Sequence, residues 1–356
     1  MGASSDPGAD NPEAGKLTSY PWFDWLRFIL ASIVVLDHAG LPFPEPVSGH
    51  MAVEVFFALS GWLIGGILLK TEKHELPRFF FNRSTRIWIP YALAIILLYG
   101  TALLREGADF FWFKYLLFDV TFTHQIFTVF PAASAEMPLD GSGNQFWSIS
   151  VEEQFYLVAP LLILFARGGK SLWLWLAIAA LMAAGSTGFA TIALGVCAAI
   201  VEARTGFSRQ RGIRWAATLV AACAVVLIRS TEIPALSSVL AVAIVIAAAK
   251  PGRRSSIAQT AGGLSYPLYL NHWIGVFAVN FISKRWVPID FGIFVVVQYA
   301  VNIGIALGLY LAVDRQIQIR RGGWYSDKLG QRLAITAYIA VCAGLVAGTA
   351  LTLAAR

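Results

Sequence analysis

The chain has 356 residues, a net charge of +6, and only 13% charged against 57% hydrophobic residues. A soluble protein averages about 25% charged residues, so this composition, with a mean hydropathy of +0.65, excludes a disordered chain and points to a polytopic membrane protein. The basic residues sit in short blocks between apolar runs, the pattern of membrane topology and not of a nucleic-acid groove, and the scattered Cys197, Cys223 and Cys342 offer neither a disulfide framework nor a CxxC metal site.

Residues 1–20 are rich in Gly, Ser, Asp, Asn and Pro and read as a short disordered cytoplasmic tail. Apolar runs follow at about 22–40, 52–69, 87–104, 147–166, 171–185, 188–203, 214–229, 235–249, 263–283, 292–313 and 333–354. A spanning helix needs about 20 mostly apolar residues, and the expectation is an all-α, polytopic membrane helix bundle of about eleven transmembrane helices. The stretch 105–146 opens aromatic but carries Lys114, Asp119 and His124, then runs through Pro131, Pro138 and Gly141. It reads as an external interfacial loop with a short amphipathic helix. No fixed-period repeat is visible and no polar stretch is long enough for a soluble domain.

Counting Lys and Arg sets the direction. With the N-terminus inside and eleven spans, the inner segments hold 20 and the outer segments 6. The expected placement is a multi-pass bacterial cytoplasmic-membrane protein, N-terminus cytoplasmic and C-terminus extracytoplasmic.

Ionisable groups inside spans are costly and mark function. Arg27 and His38 lie eleven residues apart in the first run, about 20° past three turns, so they share a helix face about 16 Å apart along the axis. Glu54 opens the second run near the outer surface, and Ser60-Gly61 followed by Gly65-Gly66 permits close helix approach. Arg83 and Arg86, at i, i+3 on the inner side, suit a phosphate. The fourth run begins Phe146-Trp147-Ser148; Ser148 or Ser150 can cap it, placing Glu152 and Glu153 in the first turn. These two glutamates point about 100° apart, so at least one faces the bundle. Asn271 and His272 fall about halfway across the ninth run.

Together these segments resemble membrane acyltransferase family 3, the O-acyltransferases of bacterial surface glycans and some antibiotics. The resemblance is carried by Arg27-x10-His38, by Glu54-Val-Phe-Phe-Ala-Leu-Ser-Gly61, by Arg83-x-x-Arg86, by Trp147-Ser-Ile-Ser-Val-Glu-Glu-Gln-Phe-Tyr156 and by Ser265-Tyr266-Pro-Leu-Tyr-Leu-Asn271-His272. It covers roughly residues 20–320. It implies a ten-helix core over 21–320, acyl-CoA (acetyl-CoA by default) as a co-substrate reached from the cytoplasm, and an acceptor hydroxyl on the outer side, borne by a glycan, a lipid-linked sugar or a similar molecule. Residues 321–356 then form a linker and an added eleventh helix. No metal is expected.

Acyl transfer to an alcohol needs a base and an oxyanion donor. Histidine titrates near neutrality, and of the five histidines His50, His74 and His124 fall in loops. His38 is the expected base, with Glu54 or Glu153 orienting it and His272 with Asn271 holding the thioester carbonyl or the acceptor. Arg83 and Arg86 grip the CoA phosphates, and Arg27 lines the pantetheine path. A covalent acyl-enzyme through His38 or Ser60 stays open. Trp147, Ser265 and Tyr266 enter the substrate-binding set through the motifs that hold them. The rival from another class is a transporter or flippase for a glycan or lipid.

Overall fold

The computed structural model describes residues 19–130, 133–183, 185, 188–231, 233, 235–285 and 290–354. The tail expected over 1–20 lies outside them except for its last two residues.

Helices α1 (Pro21–His38), α2 (Gly49–Leu68) and α3 (Leu76–Glu106) come first, followed by α4 (Phe110–Val120) and three one-turn helices, α5 (His124–Phe127), α6 (Ala133–Glu136) and α7 (Pro138–Gly141). Then come α8 (Phe146–Phe165), α9 (Leu172–Met182), α10 (Phe189–Thr205), α11 (Arg211–Ser230), α12 (Ala235–Ala248), α13 (Ser256–Arg285), α14 (Phe291–Leu309), α15 (Arg315–Arg320) and α16 (Asp327–Ala354). The described residues contain no strand. Starts are set locally: Pro21 opens α1, Ser48 accepts from the Met51 amide to cap α2, and Asp109 accepts from the Trp112 amide to cap α4.

Each of the eleven apolar runs forms a helix. Six helical stretches are long and apolar enough to cross a membrane: 49–68, 73–106, 146–165, 211–230, 291–324 and 327–353. Four of the other five helices, α1, α9, α10 and α12, have 18, 11, 17 and 14 residues, short of the roughly 20 that a perpendicular span uses.

Some local expectations need correction. Helix α3 starts eleven residues before its apolar run, so Arg83 and Arg86 stand on helix. Helix α8 starts at Phe146 with Gln145 as its N-cap, so neither Ser148 nor Ser150 is the cap and the two glutamates fall in the second turn. The 105–146 segment is not mainly loop. His124 is buried there with Asp119, both 1% exposed, because its Nδ1 sits 2.6 Å from Asp119 Oδ1. Tyr99 donates to the other carboxylate oxygen at 2.5 Å.

Helix α2 is central. It meets α10 through small residues: a Cβ on Gly61 would strike the Ile192 carbonyl, and one on Gly195 the Ala58 carbonyl. Glycine at both positions lets the backbones touch. Helix α1 lies along α13, where Ala31 and Val35 pack with Leu268 and Ala306. Helix α16 covers α3 and the 110–127 segment: Gly330 abuts Pro77, Gly344 abuts Thr121, and Tyr338 donates to the Leu157 carbonyl at 2.8 Å.

Candidate active site

Helices α1, α2, α3, α8, α10 and α13 enclose a cavity of about 770 Å³. Its wall includes seven cations, Arg27, Lys70, Arg83, Arg86, Arg209, Arg254 and Arg321, against two carboxylates, Glu152 and Glu202. Most of the cations sit at helix ends and connections, beside Ser19 and Tyr20. Burial raises the Tyr20 phenol above its ordinary value, so it stays a donor to Glu202. Away from this basic end the wall turns to Phe56, Ser148 and Tyr269.

Several of these cations lack partners. Arg83 Nε is buried with no hydrogen-bond partner, and its guanidinium lies 5.9 Å from the Tyr156 ring centre. Arg86 is exposed to the cavity and makes no hydrogen bond or ion pair among the described residues. Unpaired guanidiniums facing one enclosed space are a binding surface for an anion, and Arg pairs suit phosphate.

One helical turn beyond Tyr269 stands His272. Its Nδ1 is 2.8 Å from the Tyr269 carbonyl oxygen, and its Nε2 is 2.8 Å from His38 Nδ1. A carbonyl only accepts, so the His272 proton sits on Nδ1. Nε2 of the neutral ring then carries the lone pair, and His38 Nδ1–H donates to it. The His38 proton is thereby fixed on Nδ1, leaving His38 Nε2 as a free acceptor, with tautomers assigned from the network. His272 is 4% exposed, whereas His38, at the last position of α1, is exposed. The base thus faces outward while its partner is locked in the bundle.

The expected residues divide by position. Arg27, Ser60, Arg83, Arg86, Ser265 and Tyr266 all line the cavity. His38 and His272 pair just past its far end. Glu54 is not placed as the orienting acid: it accepts from Thr191, with His50 Nε2 at 3.9 Å, and faces a separate cavity of about 360 Å³. Glu54 and Phe56 point to opposite sides of α2, and Phe56 is the one beside Tyr269, at 6.2 Å between ring centres. Glu153 is taken by Trp88 Nε1 at 2.9 Å. Trp147 packs edge-on against Phe57 at 5.6 Å. Asn271 donates to the Pro267 carbonyl at 3.1 Å, and both His272 nitrogens are engaged, so the residue that orients the base is His272.

The cavity also contains groups that the motifs did not single out. Glu152, neighbour of the chosen Glu153, accepts from Ser60 at 2.5 Å and from Tyr156 at 3.1 Å. Ser148 Oγ lies 2.6 Å from the Tyr269 hydroxyl. Arg209, Arg254 and Arg321 read in the sequence only as topology-setting charges.

The family model described as an acyltransferase domain matches residues 20–313. A putative O-acetyltransferase of Staphylococcus aureus (strain COL) is 27% identical over 168 residues, 42% of this chain and 25% of that protein. The peptidoglycan O-acetyltransferase OatA of Listeria monocytogenes serovar 1/2a is 29% identical over 160 residues, 40% of this chain and 24% of that protein. A putative peptidoglycan O-acetyltransferase of Bacillus subtilis (strain 168) is 28% identical over 154 residues, 40% of this chain and 23% of that protein. The aligned region spans about a quarter of the length of these curated relatives. No solved structure matches the chain.

Proposed function

The chain belongs to this acyltransferase family, and from that premise we propose that it is an integral membrane O-acyltransferase that moves an acyl group, acetyl by default, from acyl-CoA to a hydroxyl of a glycan or similar acceptor. The observation that carries this reading is the basic cavity that ends one helical turn short of the His272–His38 pair.

The phosphates of acyl-CoA sit at the basic end, against Arg83 and Arg86, and the pantetheine arm runs past Arg27 and Ser60 toward Tyr269. The acceptor approaches the exposed side of His38. His38 Nε2 removes the acceptor proton as its oxygen attacks the thioester carbonyl. The imidazolium that forms keeps donating through Nδ1 to His272, which stabilises it. Collapse of the tetrahedral intermediate breaks the C–S bond, and the proton on Nε2 passes to the departing thiolate. Products are the ester and free CoA, and every atom is conserved.

The topology that supports this chemistry is N-in with eleven spans in the bacterial inner membrane. The basic end of the cavity then faces the cytoplasm, where acyl-CoA is made, and His38 lies toward the outer surface.

The test is thiol release from acetyl-CoA by the purified protein in lipid vesicles, together with mass spectrometry of surface glycans from cells with and without it. Acceptor-dependent CoA release and a lost acetyl-ester mass are expected, both absent with His38→Gln. Loss of the glycan ester without any thioester consumption would favour transport instead.

A further inference from the structure

Asp24 is 4% exposed on α1, beside a cavity wall dominated by cations. Its Oδ1 accepts from Arg27 Nη1 at 3.1 Å, and its Oδ2 lies 3.0 Å from Arg254 Nε. The two arginines come from different elements. Arg27 is three residues further along α1, while Arg254 comes from the connection between α12 and α13. That connection is docked on the start of α1: Gly252 N donates to the Ser19 carbonyl at 3.0 Å, and a Cβ on Gly252 would stand 3.3 Å from Pro21 Cγ. On another side α13 closes in, since a Cβ on Gly262 would lie 2.8 Å from both Asp24 Cβ and Oδ1. The carboxylate therefore has little room to swing away.

Both arginines line the cavity. Each guanidinium offers five N–H donors, and the single printed contact of each with Asp24 leaves further donors for a ligand. Two guanidiniums this close repel each other, and the carboxylate between them offsets that repulsion.

We propose that Asp24 is a positioning residue that holds Arg27 and Arg254 as a preformed phosphate clamp, and that Arg254 binds the donor directly. This rests on reading the cavity as an acyl-CoA site. The arrangement resembles a ligand's own requirement in advance: the cations are set in place before the anion arrives, so ordering them costs little on binding. A simple charge account gives the opposite sign, because removing a negative charge beside an anion site should tighten anion binding.

The experiment is a CoA titration of the purified full chain in lipid nanodiscs, with steady-state kinetics on acetyl-CoA. In Asp24→Asn the dissociation constant for CoA should rise by about 10-fold or more, the scale of one lost charge-assisted contact, and donor KM should rise more than kcat falls. Arg254→Gln, at a side chain that is 42% exposed and dispensable for folding, should raise it similarly. The double variant should be little worse than either single one, because both remove the same clamp. If wild type fails to bind CoA, the reading of the cavity falls. If wild type binds and Asp24→Asn binds equally or more tightly, the clamp is refuted. Should Asp24→Asn not accumulate, an unchanged CoA affinity in Arg254→Gln refutes it instead.

Discussion

Replacing His272 with alanine isolates what the histidine pair does. The substitution removes the acceptor of His38 Nδ1–H, which sits 2.8 Å away, and leaves the cavity wall untouched because His272 is not part of it. In the ground state this is one neutral hydrogen bond, but once His38 has taken the acceptor proton it becomes charge-assisted. A hydrogen bond to a charged group is worth about 1.5–3 kcal/mol, which corresponds to a loss of about 10- to 150-fold in kcat. His38→Gln removes the base itself and should cost about 10²–10⁴-fold. Both should leave the CoA dissociation constant near wild type. The His38→Gln/His272→Ala double variant should be no slower than His38→Gln alone, since the two act as one unit. The assay is single-turnover CoA release in vesicles at matched protein levels. Near-normal turnover by His272→Ala, or an additive double variant, would refute the tautomer argument.

Four further outcomes can be checked. Changing Arg83 and Arg86 to alanine should raise the acyl-CoA KM by at least about 10-fold; a rise in acceptor KM with donor KM unchanged would reverse their assignment. Gly195→Val should prevent accumulation of folded protein, because its side chain meets the α2 backbone at Ala58; normal accumulation with unchanged melting would show that α2 and α10 do not need that approach. His124→Ala strips the partner from buried Asp119 and should lower stability by about 3–5 kcal/mol, read as the melting temperature in detergent, with an unchanged value arguing against the buried pair. Reporter fusions after Lys170, Arg211 and Arg321 should read cytoplasmic, and one after Ser142 external; a cytoplasmic reading after Ser142 would overturn the topology.

The helices were readable because bilayer-facing apolar runs and the basic blocks between them are long, one-dimensional signals. Every one of the eleven runs lies on a helix. The side-chain partners were harder to read. Glu54 and Glu153 are acidic residues near the expected site by sequence, but a turn of about 200° between Glu54 and Phe56 aims the acid at Thr191. Nothing in the order of residues gives the azimuth of α2 in the bundle. His272 as the partner of His38 joins residues 234 apart, a contact that only the packing of α1 on α13 creates. Arg254 was hidden differently: a charge that orients a loop in the membrane and a charge that faces a cavity look identical in sequence. The 110–127 segment misled because its aromatic and polar residues suit an interface, whereas α16 covers it.

Between α14 and α15, residues 310–314 are wound as a π-helix, which holds one residue more than the α-helix it interrupts. That surplus residue sets the phase of everything after it. Deleting one residue from the widened turn would let it relax to an ordinary α-helix, but the following segment would rotate by about 100° and shift by about 1.5 Å. Arg321, which now reaches the cavity and the Asn82 carbonyl, would sweep off that wall, and buried Asp314 would be displaced with it. The spacing between Tyr310 and Arg321 is therefore an indexing constraint: single substitutions within it leave the register intact, while a one-codon length change does not.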